Sequence, residues 1–275
     1  MSTLANKQLH KNNDDDILCH VDEHGLATIT LNRTKKHNAF NADCIATLRQ
    51  FLEALNKQRD IKALVLQANG KFFSAGADLE WMQSMVNQSK SENNADAEQL
   101  SALLRDLDTF PHPTLALVQG SAFGGALGLI CCCDIVMAQQ DSIFCFSEVK
   151  IGLVPATIAP YVIRVIGQRQ ARRYMLTAET FDAATSLQLG IVHSVVADAL
   201  ALKVQSQNLI MHILLNAPVA VSIAKQLCLD CDPIPERLYS FTSELIARVR
   251  TSPEGQEGLT AFIDKRQPTW VTKDE

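Results

Sequence analysis

Two short stretches of the chain put small residues where backbone amides could do chemistry. Phe72-Phe73-Ser74-Ala75-Gly76-Ala77-Asp78-Leu79 leaves an apolar run, turns through small residues and enters helical sequence. Gly120-Ser121-Ala122-Phe123-Gly124-Gly125-Ala126-Leu127-Gly128-Leu129 does the same ahead of an apolar helix. With no bulky side chain in the turn, a backbone N–H can approach a ligand closely, and the first N–H groups of a helix have no internal acceptor. Either stretch alone is better explained as tight strand-to-helix packing. Two such N–H groups converging from separate loops make an oxyanion hole, in which each donor contributes about 3–4 kcal/mol. That arrangement suits a reaction whose charge builds on a carbonyl oxygen. It also requires a proton-transfer group beside it.

The elements that must hold these turns follow from the apolar spacing. Ile17 to Val21, Asp-Glu-His-Gly and Ala27 to Leu31 read as a β-hairpin. Ile45, Leu48, Phe51, Leu52 and Leu55 fall at helical spacing within 41–58, and Ala63 to Gln67 is a short apolar strand. Helical sequence runs from Leu79 to about Phe110, broken by a polar patch at 88–99 that is expected to be mobile. Further strands are expected at Thr114 to Val118, Asp134 to Ala138, Ile143 to Phe146 and Val192 to Val196, with a buried helix over 124–133. After Pro155 the chain reads mostly as helix. Such alternation predicts an α/β domain with parallel pairing over 17–200, a flexible tail over 1–16 and a helical region over 201–275.

Composition narrows the function classes. With 275 residues, close to half of them apolar, the chain can bury a sizeable core. No apolar run reaches the roughly 18 residues of a membrane span, and the polar N-terminus lacks the apolar stretch of a secretory signal. A net charge of −5 removes the usual motive for binding nucleic acid. Of eight cysteines, Cys131, Cys132 and Cys133 lie in an apolar run and read as small hydrophobes. Cys228 and Cys231 form one CxxC with no second pair, so no metal site is expected and a reducing, cytoplasmic location is.

The pairing of FFSAGADL with GSAFGGALGL, followed by CCCDIVMA, FSEVKIGLVP and IGQRQARRYMLTAETFDAATSLQLG, resembles the enoyl-CoA hydratase/isomerase (crotonase) family from about Ile17 to Arg266. The resemblance implies a spiral of ββα units with a C-terminal α-helical trimerisation region. It also implies an acyl-CoA substrate, no cofactor beyond the coenzyme A of that substrate, and a homo-oligomer, either a trimer or a dimer of trimers. Carried over by residue, the oxyanion hole is the N–H of Ala77 and the N–H of Gly125, with Ala75, Asp78 and Leu79 alongside. Glu148 falls where the family places a catalytic glutamate. Its apolar neighbours Ile143 to Phe146, Val149, Ile151, Leu153 and Val154 should raise its pKa, although a glutamate on a surface loop fits the same neighbours. The loop Arg33 to Ala39, with Lys36, Asn38 and Ala39, corresponds to the coenzyme A loop. Phe262 and Lys265 resemble residues that reach the coenzyme A of a neighbouring subunit.

Two departures sharpen the reading. Gly128 stands where two-glutamate hydratases carry their second glutamate, and Pro155-Ala156-Thr157 replaces a more Gly-rich turn. Both look similar to bacterial methylglutaconyl-CoA hydratases of leucine breakdown and their isoprenoid-degrading relatives. Gly128 either makes room for a branched substituent or merely lets the helix pack closely. If residues 148–150 are extended, Lys150 shares a face with Glu148 and meets a distal substrate carboxylate. The expected activity is hydration of a branched, dicarboxylic enoyl thioester. The alternatives are an enoyl-CoA isomerase working with a single glutamate and a non-catalytic coenzyme A or RNA-binding relative.

Overall fold

The computed structural model describes residues 7–8, 15–230 and 237–269. Strand β1 (Lys7–Gln8) pairs antiparallel with β2 (Ile17–Val21), which forms the expected hairpin with β3 (Leu26–Leu31). Two residues of the supposed free tail therefore extend a sheet, and the rest of the tail's first fourteen residues lie outside the described part. Helix α1 (Ala42–Asn56) starts where the Asn41 side chain accepts from Cys44 N at 2.9 Å, and it buries Ile45, Leu48, Leu52 and Leu55.

From there the backbone repeats one plan three times. A strand of the large sheet, β4 (Ala63–Ala68), is followed by a short strand of a second sheet, β5 (Phe72–Ser74), then α2 (Leu79–Met85) and α3 (Lys90–Asp108). Next come β6 (Thr114–Val118), β7 (Ser121–Phe123) and α4 (Gly125–Cys132). The third unit is β8 (Ile135–Gln139), β9 (Ile143–Cys145), a 3-10 turn over Glu148–Ile151, and α5 (Ala159–Thr177). The chain then adds β10 (Phe181–Asp182), α6 (Ala183–Gln188), β11 (Ser194–Val196), α7 (Ala199–Leu214), α8 (Pro218–Asp230), α9 (Arg237–Arg250) and α10 (Pro253–Ile263).

The large sheet runs β1-β2-β3-β4-β6-β8-β11, parallel from β3 onward, and the small one runs β10-β9-β7-β5 with β5, β7 and β9 parallel. The main core lies among these sheets and helices α1, α3, α4 and α5. Helix α7 covers the opposite face of the large sheet, where Leu202 and Ile210 meet Val65, Leu115 and Met137. This is the ββα spiral that the sequence implied. Among the described residues no single helix is long and apolar enough to cross a membrane.

The structure refines two expectations. The helical stretch breaks at 86–89, but from Lys90 the polar patch at 88–99 is helix, because Ser89 and Glu92 form a reciprocal capping box that starts α3. The expected C-terminal helices are present and pack onto earlier elements. Helix α9 packs along α3, and α10 packs on α2 and on the 3-10 turn. Gly258 makes the latter contact possible, since a Cβ there would lie 2.2 Å from the Ile151 carbonyl oxygen. Gly258→Ala is therefore expected to cost about 1–3 kcal/mol in chemical denaturation, the range for overpacking a close contact. Unchanged stability would mean that α10 does not rest on this turn.

Candidate functional site

Each of the three repeats delivers one group to a shared cavity of about 370 Å³, and each group sits just past a short strand of the small sheet. The first is Ala77. Its neighbours are pinned, with Phe40 N donating to Gly76 O at 2.7 Å and Asp78 N to Phe40 O at 2.7 Å. Buried Asp78 caps α2 and pairs with Arg33. Burial alone would raise its pKa, but the Arg33 guanidinium and the N–H groups of Trp81 and Glu80 hold its carboxyl below the usual range. Ala77 N–H has no acceptor among the described residues.

The second group is Gly125, the first residue of α4. Gly124 before it takes φ +53° and donates its N–H to Cys145 O at 3.0 Å. Gly125 N–H also lacks an acceptor among the described residues, and a Cβ on Gly125 would meet nothing within 4 Å. The helix start thus faces open space, with its dipole favouring negative charge there. The two loops are held together by backbone contact. Gly76, at φ +89°, approaches Phe123 so closely that a Cβ would stand 2.9 Å from its carbonyl oxygen.

The third group is Glu148. Its residue as a whole is half-buried, yet Oε2 is shut off from solvent and has no hydrogen-bond partner. Oε1 lies 3.3 Å from the position of a Cβ on Gly124, which places the carboxyl beside the start of α4. Burial pushes its pKa from 4.5 up to about 7, opposed by its own backbone N–H. Among the cavity-lining residues Glu148 is the only carboxylate. The arrangement can hold a carbonyl oxygen on two N–H donors while one carboxyl takes and returns a proton.

Of the residues singled out from sequence, Ala75, Ala77, Gly125, Glu148, Lys150 and Phe262 line this cavity. The others do not. Lys36 is exposed and paired with Glu80 at 2.6 Å. Asn38 is buried, its amide donating to Asn69 O and Phe72 O, and Ala39 is buried beside it, accepting from Arg33. Asp78 is a cap and ion-pair partner, and Leu79 is exposed. Gly128 leaves no empty space: a Cβ would stand 2.4 Å from Ile158 Cγ2, so the glycine is a packing residue and Ile158 fills the gap.

Residues 148–150 are not extended but form the 3-10 turn, so Lys150 does not share a strand face with Glu148. Its Nζ lies 3.8 Å from Cys145 Sγ, and it is not among the charges that shift Glu148. Phe262 lines the cavity of its own chain, whereas Lys265, at φ +55° beyond α10, does not. Cys228 is exposed and free, and Cys231, its CxxC partner, lies outside the described residues.

Sequence reading missed the rest of the cavity wall, including Trp81, Met82, Leu100, Ile158, Ile246 and Arg250. Trp81 and Met82 were within reach, because they follow the capped start of α2. Nothing local marked Leu100, Ile246 or Arg250, which arrive through the packing of α9 on α3. A larger groove of about 590 Å³ runs beside α8, but its Lys225 is tied to Asp134 and its His112 to Ser222. The smaller cavity holds the chemistry.

A family model described as enoyl-CoA hydratase/isomerase matches residues 22–273. The chain is 29% identical over 251 residues to a short-chain-enoyl-CoA hydratase of Clostridium acetobutylicum, covering 88% of this chain and 92% of that one. It is 48% identical to an enoyl-CoA hydratase of known structure from Shewanella pealeana, with a TM-score of 0.76 and coverage of 94% and 97%. The structure of Pseudomonas aeruginosa AtuE is 34% identical, with a TM-score of 0.77 and coverage of 94% and 100%.

The displaced pKa of Glu148 has a measurable consequence for stability. Between about pH 4.5 and 7 the unfolded chain has lost this proton while the folded chain keeps it, so stability falls as pH rises through that window. Glu148→Gln removes the cost. The variant is expected to match the wild type below pH 4.5 and to exceed it above pH 7 by on the order of 3 kcal/mol. Urea unfolding of both proteins at pH 4, 5.5 and 8 checks this, and parallel pH profiles would refute the buried, uncharged carboxyl.

Proposed function

The chain belongs to the enoyl-CoA hydratase/isomerase family, and on that premise we propose that it adds water across the double bond of an enoyl-CoA. The observation that carries this reading is the Glu148 carboxyl, its Oε2 buried and unpartnered, beside two backbone N–H groups that have no acceptor among the described residues. The thioester oxygen accepts from Ala77 N–H and Gly125 N–H. Ionised Glu148 takes a proton from water as the water oxygen bonds to the β carbon. The double-bond electrons shift onto the thioester oxygen, giving an enolate that the two donors and the α4 dipole stabilise. Glu148 then returns the proton to the α carbon. Coenzyme A enters as part of the substrate, and main-chain donors with one carboxyl suffice for every step.

The finer reading is a branched dicarboxylic substrate such as 3-methylglutaconyl-CoA, in leucine or isoprenoid breakdown. Support comes from the sequence resemblance of FSAGADLEWM and from Gly128 standing in place of a second glutamate. A second reading, an enoyl-CoA isomerase, is favoured by the single carboxylate in the cavity. Turnover in ¹⁸O-water separates the two. Hydration gives a β-hydroxyacyl product with one labelled oxygen, whereas isomerisation gives an unlabelled product with a shifted double bond. Glu148→Gln is expected to lower turnover at least about a hundredfold while binding is largely retained. Near-normal hydration by that variant would overturn the mechanism.

The proposal extends to assembly and location. Leu200, Val204, Met211, Val219 and Ile223 on α7 and α8, with Leu215 between them, are large apolar side chains left exposed. A trimer or dimer of trimers would cover them. The described cysteines are free, in keeping with a reducing cytoplasm. Sedimentation at micromolar concentration is expected to give a trimer or hexamer, and a monomer would count decisively against this assembly.

A further inference from the structure

Arg250 ends α9 with its side chain only 13% exposed, and it lines the cavity together with Trp81, Met82, Leu100 and Ile246. A guanidinium buried in an apolar wall is costly unless its donors are used. Here they are barely used. Nη1 donates to Asn93 Oδ1 at 3.3 Å and to Asp96 Oδ2 at 3.5 Å, both at the long limit of hydrogen bonding. Among the described residues Nε and Nη2 have no acceptor.

The same chain shows what an Arg built only to bolt elements together looks like. Arg266 grips Glu257 with both forks, Nη1 on Oε1 at 2.7 Å and Nη2 on Oε2 at 2.8 Å. Arg164 likewise takes Asp108 with two nitrogens. Arg250 instead keeps half its planar fork unspent beside a cavity, and a planar fork fits a carboxylate with two parallel bonds. Asp96 does not saturate it, because its one contact with the guanidinium lies at 3.5 Å.

We propose that Arg250 determines specificity by receiving a carboxylate carried on the far end of the acyl chain, so that the preferred substrate is the enoyl thioester of a dicarboxylic acid. The thioester end of this picture rests on the hydratase reading above. Arg250 and Glu148 line the same cavity, so one acyl chain can meet both. Lys150, the cation expected from sequence, lines it too, with its Nζ 3.8 Å from Cys145 Sγ.

The experiment measures binding of two saturated thioesters of equal chain length, glutaryl-CoA and pentanoyl-CoA, by calorimetry on the full-length protein. Wild type should prefer glutaryl-CoA. Arg250→Gln should reduce that preference at least ~30-fold, which is ~2 kcal/mol at 1.4 kcal/mol per tenfold. Arg250→Lys should keep part of it. Asp96→Asn removes the competing carboxylate and should increase the preference. A purely structural Arg250 would weaken both ligands alike, and an unchanged ratio in Arg250→Gln overturns the proposal, as does a wild type indifferent to the carboxylate. Should Arg250→Gln not fold, Arg250→Lys and Asp96→Asn carry the test. Because saturated ligands need no turnover, a failed hydratase reading appears separately, as glutaryl-CoA binding without hydration of any enoyl thioester.

Discussion

Everything in this molecule turns on keeping two backbone N–H groups without acceptors and aimed at one place. Unpaired polar groups cost about 1–3 kcal/mol each when buried, so a chain free to relax would find them partners. What prevents relaxation is backbone on backbone. Gly76 can sit against the Phe123 carbonyl only because it lacks a Cβ and tolerates a positive φ, and Gly124 meets the Glu148 carboxyl on the same terms. Parallel pairing of β5, β7 and β9 does the coarse alignment, since it brings the ends of the three short strands side by side. Ala77, Gly125 and Glu148 each lie a few residues beyond one of those ends. One repeated backbone plan thus brings two unpaired N–H groups and one carboxyl to a single cavity.

The cost of that plan falls on the carboxyl. Oε2 of Glu148 is excluded from water without being offered a partner, and burial of the carboxyl pushes its pKa from 4.5 up to about 7. A group with that pKa is a workable base and a workable acid at neutrality, and both roles are needed when one residue must take a proton and give it back. The destabilisation is offset elsewhere. Helix α10 is laid directly on the turn that carries Glu148, and Leu259, Leu153, Ala156 and Met82 form a small cluster of their own around it. The C-terminal helices therefore belong to the site, a point that a division of the chain near residue 200 conceals.

Legibility in the sequence followed the length and regularity of the apolar pattern. The hairpin, α1, β4, β6 and β8 announce themselves through repeated burial at fixed spacing. Strands β5, β7 and β10 have only two or three residues each, too few to show alternation. The start of α3 was missed because its inner face carries Asn93, Ala97 and Ser101, small or polar residues that hide a helical period. Glu148 was visible by type and neighbours, while its 3-10 conformation was not, so Lys150 reaches the cavity from a turn and not from a shared strand face. Arg250 was invisible for a different reason. A cation following Leu245, Ile246 and Val249 reads as an ordinary amphipathic helix, and only the docking of α9 on α3 turns it toward the cavity.

These two kinds of residue also differ in what substitution can do to them. The Ala77 and Gly125 N–H groups are main-chain atoms, so no side-chain change removes them unless it moves the backbone, and Gly76, which sets it, has no room for a Cβ. The far wall of the cavity is made of side chains from α2, α3, α9 and α10, and much of it packs in a cluster separate from the main core. Changes there alter the shape and charge met by the acyl chain without disturbing the sheets that aim the donors. A cavity built this way keeps its reaction fixed and leaves its choice of substrate to side chains. The charge of the wall then matters more than its volume. An apolar pocket discriminates one methylene by only about 1–3 kcal/mol, whereas a buried guanidinium left unpaired by the wrong ligand penalises it by more. On the role proposed for Arg250, the wall excludes the uncharged acyl chain as much as it attracts the charged one.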